Sequence, residues 1–129
     1  MIDQVVETFK RAVKRELDGH TFGELPNRFI ASHFGEVVIP ASAVVDTTES
    51  LALWRSAYDT INARIAVAGG GDNLAPGVWY SKERDAFIWD MSTSFTAKSV
   101  ALWFGENNMQ ESVYDSKLDK CEDVPNYGK

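Results

Sequence analysis

The chain has 129 residues, 44% of them apolar and 25% charged, a balance that suits one domain with its own core and excludes wholesale disorder. A formal charge of −6 disfavours nucleic acid as a general ligand. One cysteine, Cys121, and two histidines rule out an intrachain disulfide and a dedicated zinc site.

In chain order, "MIDQVVETFKRAVKRELDG" places Ile2, Val5, Val6, Phe9, Val13 and Leu17 at three- and four-residue steps. The spacing predicts an amphipathic helix over 2–18 with Gly19 as its stop. The amphipathic start is unlike a signal peptide, and no apolar run nears the ~18 residues of a membrane span. A cytoplasmic protein is expected. Lys10, Arg11, Lys14 and Arg15 form a basic stripe, offset by Asp3, Glu7, Glu16 and Asp18 on the same helix. The connector "HTFGELPN" is rich in turn formers. "RFIASH" and "EVVIPASAVV" then carry the β-branched and aromatic residues of strands and predict a hairpin around Gly35. Pro40 lacks an amide donor, so the second of these strands should be an edge, a bulge or two pieces.

Asp46 and Glu49 have capping-box spacing. The predicted second helix spans 47–68, with Leu51, Trp54, Tyr58, Ile61 and Ile65 on its inner face. Gly69 is the expected left-handed stop. The following "GGGD" lies after a helix, whereas a phosphate loop needs glycines between a strand and a helix, so nucleotide binding is not expected there. "GVWYS" and "AFIWDM" bracket the polar turn "KERD" and predict a second hairpin with bulky residues on both faces. Such a pair suits the middle of a sheet with helices on one side and loops or a partner on the other. Ser92, Thr93 and Ser94 offer caps for a third helix over 95–104, with Gly105 as its stop. "MQESVYD" predicts a last strand, and 116–129 an acidic, flexible tail. The expected fold is therefore a single-domain α+β protein, order αββαββαβ, with a mainly antiparallel sheet packed by three helices.

No nucleophile elbow, HExxH or Walker loop is present. His20 and His33 each lie beside a turn or strand end, where imidazole can act as a base. Arg28, Ser92-Thr93-Ser94 and Glu111 occur in an order that resembles ADP-ribosyltransferases. That resemblance implies NAD as cofactor, Arg28 on its phosphates, Ser92 and Ser94 at the nicotinamide ribose, and Glu111 stabilising an oxocarbenium-like transition state. Met109 stands where that family has a further acid or glutamine. The run "SVALWFGENNMQESVYD", with Gly105 and Gln110, is similar to the C-terminal portion of small accessory proteins of phages and other mobile elements. This second resemblance implies a protein that binds a host component.

From Glu106 onward, Glu106, Glu111, Asp115, Asp119, Glu122 and Asp123 outweigh Lys117, Lys120 and Lys129, leaving −3, half the total charge. Four tryptophans in so short a chain direct attention to a contact surface. The favoured expectation is a non-enzymatic protein that binds a protein partner through Trp79, Tyr80, Trp89, Trp103, Glu106 and Glu111. A transferase using NAD is the alternative. No metal, nucleic acid or membrane contact is expected, and self-association, including pairing at the Pro40 edge, stays open.

Overall fold

The computed structural model describes residues 3–33, 36–69 and 71–125. The order is α1 (Gln4–Val13), β1 (Gly19–Thr21), β2 (Phe29–Ser32), β3 (Val37–Pro40), α2 (Thr48–Ala68), β4 (Leu74–Ser81), β5 (Ala86–Phe95), α3 (Lys98–Asn107), β6 (Ser112–Asp115) and β7 (Lys120–Asp123). The architecture is α+β: three helices and one curled antiparallel sheet.

β5 organises the sheet. Along one side it pairs with β4 from Ala86 to Thr93. Along the other it pairs first with β3, ending at Val37 opposite Trp89, and then with β2, starting at Ser32 opposite Ser92. The sheet continues from β2 through β6 to β7, and from β4 to β1. The expected β2–β3 hairpin is therefore corrected: the two strands do not pair with each other but share one long neighbour. Its predicted turn at Gly35 lies outside the described residues. Among the described residues β3 pairs with β5 alone, so the strand holding Pro40 is an edge, one of the three outcomes its missing donor allows.

Strand alternation sorts residues onto two faces. One face carries Val78, Ile39, Phe87 and Trp89, which pack with Phe9 of α1 and Trp54, Ala57 and Ile61 of α2. The Trp54 ring meets Phe87 and Trp89 edge to face at 5.4 and 4.9 Å. Its Nε1 donates to Thr8 Oγ1 at 3.1 Å, so α1 and α2 are locked by one satisfied polar contact inside an aromatic core. Farther along the same face a smaller core joins Phe29, Ala31 and Val113 to Ala101 of α3, with Val124 beside them. Gly105 allows this approach. A Cβ there would come within 3.1 Å of Val124 and 3.2 Å of Val113.

Several boundaries differ from expectation for identifiable reasons. α1 ends at Val13 because Arg15 adopts a left-handed φ of 59°; its guanidinium reaches the carbonyls of Ala12, Ala41 and Val44. That side chain is a brace and leaves the proposed basic stripe. The predicted start at Ile2 lies outside the described residues. The cap of α2 is Thr47, whose side chain accepts from Ser50 N, not Asp46. Gly69 closes α2 with φ 66°, as expected. Ser92-Thr93-Ser94 do not cap α3; they extend β5, and Ala97 starts the helix without a side-chain cap. Gly105 does not stop α3, which runs to Asn107. The connector after α1 contains β1, and the supposed tail contains β7, paired with β6 from Lys120 to Asp123.

Candidate functional site

The second face of the sheet has no helix upon it among the described residues. Across β4 and β5 it presents Ala75, Gly77 and Trp79 beside Ile88, Asp90, Ser92 and Ser94. Ile88 and Asp90 are nevertheless wholly buried. Burial falls off toward the flanking strands, where Ile30 and Tyr114 are half-buried and Val38 is exposed. That gradient is what a curled sheet produces on its inner strands.

Asp90 is the chemical centre of this face. Trp79 Nε1 donates to its Oδ2 at 3.0 Å, and Ser92 Oγ to its Oδ1 at 3.4 Å. Ser32 of β2 supplies a third side-chain hydrogen bond. Gly77 lies opposite, where a Cβ would fall 2.7 Å from Ser92 Oγ and 3.1 Å from Asp90 Oδ1. Loss of hydration dominates, with a smaller push from the Glu36 charge, and the carboxyl is raised to about 7 despite its three donors. Sequence reasoning missed this residue. Its signal was an acid inside the otherwise apolar run "AFIWDM".

Neighbouring groups are structural. Ser94 Oγ contacts Asn73 Oδ1 at 2.5 Å and accepts from Asn27 N at 3.0 Å, tying β5 to the turns before β2 and β4. The residues of the ADP-ribosyltransferase resemblance are not brought together. Arg28 makes a bidentate pair with Asp115, both contacts 2.7 Å, and its guanidinium lies 4.8 Å over Phe29. Phe29 is opposite Asp115, whereas Glu111 precedes the other end of β6, roughly 13 Å away along a four-residue strand. Glu111 is raised by burial and by neighbouring acids, Glu83 first among them. His20 contacts Gln4 Oε1 at 3.1 Å. His33 packs edge to face on Phe104, 4.8 Å between centroids, with Nε2 buried and unpartnered. Burial lowers both imidazoles, which suits packed neutral rings better than paired bases.

The expected contact residues also separate. Trp89 is wholly buried in the aromatic core and offers no surface, a correction to its assignment as a contact. Trp79 and Tyr80 are half-buried on opposite faces of β4. Tyr80 Oη donates to Asp85 at 2.5 Å. Trp103 differs: it is 63% exposed on α3, one turn from Val100 at 46%, with Met109 at 70% just past the helix. Glu106 is exposed on the same helix, and Glu111 is half-buried beyond it. A polar cleft of about 450 Å³ elsewhere, between α1 and α2, is lined by Asp3, Gln4, Phe22, Gly23, Arg55 and Tyr58; the Arg55–Asp3 pair at 2.8 Å spans it.

No known protein family, curated protein or solved structure matches this chain. No described helix is long and apolar enough to cross a membrane, and no group of acids, histidines and cysteine among the described residues has the arrangement of a metal site.

Proposed function

We propose that the protein works by binding another protein through the outward side of α3, with Trp103 as the anchor. The observation that carries this reading is the position of Trp103. Three of the four tryptophans are buried or half-buried, each in ring or hydrogen-bond contact, while Trp103 is 63% exposed, one turn from the exposed Val100 on the same helix. Tryptophan is among the residues that most often carry binding energy at interfaces. The acidic surplus from Glu106 onward favours a partner with a basic rim.

The finer reading is a phage or mobile-element accessory protein acting in the cytoplasm on a host component. It is supported by the resemblance around "SVALWFGENNMQESVYD" and by an acidic charge that repels nucleic acid. Capture from cell extract, compared between the native chain and Trp103→Glu, tests the proposal. A partner held by the native chain and lost by a variant with unchanged melting supports it. Equal recovery by both, or no recovery by either, refutes it.

A further inference from the structure

We propose that Asp90 is a proton-operated fastener of the sheet: protonated, it holds β4, β5 and β2 together in a dry seam, and ionised, it draws water there and loosens them. The helix-free face that holds Asp90 is separate from the α3 surface proposed for partner binding.

On the side of β5 away from β4, strand pairing with β3 ends at Trp89 and pairing with β2 begins at Ser92. Asp90 and Met91 are the two residues between. Met91 O is reached by His33 N at 2.8 Å, so Asp90 is the wholly buried carboxyl at a break between two neighbouring strands. Three strands meet on its side chain: Trp79 from β4, Ser92 from β5 and Ser32 from β2.

The facing groups offer no counter-charge. β4 contributes Gly77 and Trp79, β2 contributes Ser32, and β3 contributes Val38 opposite Ile88; all are neutral. The charged group that acts on Asp90 is Glu36, just before β3, of the same sign and itself paired with Arg84 at 2.6 Å. A buried anion surrounded by neutral donors is held less well than one facing a cation.

The hydrogen-bond chemistry permits two states. Indole N–H can only donate, so Oδ2 must remain an acceptor and the proton belongs on Oδ1. The Ser92 hydroxyl faces Oδ1 and can rotate, accepting from the acid or donating to the carboxylate. Both protonation states are bonded. Only the ionised one carries an unmatched charge, which hydration through the strand break would relieve.

Asp90 in the folded chain is raised from 3.8 to about 7, so between these limits the native state holds a proton that the unfolded chain has released. Its stabilising contribution is complete below the unfolded value and is lost as pH rises through the window, with the unfolding constant growing up to about tenfold per pH unit.

The test uses the full chain, with carboxyl carbons followed by NMR from pH 4 to 9 and urea unfolding measured at pH 5 and 8. The Asp90 carbon should titrate near 7. The native unfolding constant should rise at least tenfold between the two pH values, and Asp90→Asn should reduce that rise to less than threefold. In Trp79→Phe, loss of a donor that favours the anion should move the Asp90 midpoint higher. An Asp90 carbon already ionised at pH 5, an Asp90→Asn chain with the native rise, or a midpoint indifferent to Trp79→Phe would overturn the proposal. The native titration decides the matter even if a variant fails to fold.

Discussion

Asp90 and Asp115 are both almost wholly screened from solvent, on neighbouring parts of one sheet, and behave as opposites. Asp115 on β6 faces the bidentate Arg28 guanidinium and accepts the backbone N–H groups of Lys117 and Leu118 at 3.0 and 3.3 Å. Led by the Arg28 contact, these donors hold it down at about 2. Asp90 has neutral donors and no cation, and is pushed to about 7. Asp90 is enclosed far more deeply, and lost hydration is the leading cause of its rise, whereas the Arg28 contact leads the fall at Asp115. At Asp90 no opposite charge offsets that loss of hydration, and at Asp115 one more than offsets it.

The largest expected effect comes from removing the matched acid. Asp115→Ala leaves a guanidinium and two backbone donors without their acceptor, and removes the side-chain tie that reinforces the backbone pairing of β2 with β6. Only the acid of this pair is buried, and Arg28, 38% exposed, keeps part of its hydration; losing one partner is still worse than replacing both. Its urea midpoint should fall further than that of any other variant named here, and Arg28→Met/Asp115→Leu should recover part of the loss. Equal midpoints for Asp115→Ala and the native chain would mean that the pair does not bind the strands.

The pH dependence of stability should show both acids at once. Asp115 has a folded value below 3.8, so its contribution is present above that value and is lost as pH falls toward 2. Asp90 has the reverse sign and loses its contribution as pH climbs from 3.8 toward 7. Taken by themselves the two acids predict greatest stability at mildly acidic pH, near the shared unfolded value, while the burial-lowered imidazoles of His20 and His33 pull the optimum upward toward their ordinary 6.5. Urea unfolding across pH 2 to 9 checks this. A maximum at pH 8 would break the comparison.

A smaller effect is expected opposite Asp90. Gly77→Ala would place a methyl 2.7 Å from Ser92 Oγ, and Ser92 has little room to retreat because it is buried. Crowding of this kind costs about 1–3 kcal/mol. The equivalent change at Gly19 meets nothing closer than 3.6 Å and should be tolerated, so unfolding measurements on the pair separate close packing from a general intolerance of β-carbons in these strands.

Much of the fold was legible because it depends on local chemistry. The α2 periodicity, the Gly69 stop and the "KERD" turn each act within a few residues, and helices on one face of the second hairpin followed from its bulk. Pairing partners were not legible. β2 and β3 look like a hairpin because they are adjacent in sequence, yet both are captured by β5, whose length becomes evident only when Ser92-Thr93-Ser94 is seen as strand instead of cap. β7 escaped notice because "KCED" has no apolar period; its partner β6 defines it. The site divided along the same line. Trp103 could be read as lying off the α3 stripe, whereas the Asp90 cluster is assembled from β2, β4 and β5 and has no motif in any one of them.

The smallest stability effect, and the sharpest separation of stability from function, should come from Trp103→Ser. The side chain lies mostly in water, and substitutions at such positions usually change stability by no more than about 0.5 kcal/mol. If α3 is exposed only because its packing on β2 and β6 is complete at Ala101 and Gly105, removing the indole should leave the urea midpoint and the Asp90 titration unmoved. Partner capture should fall at the same time, since a central tryptophan often accounts for 2 kcal/mol or more of binding, roughly thirtyfold in affinity. A variant that destabilises the fold as Asp115→Ala does would place Trp103 in the packing of α3 and leave the proposed interface without its anchor.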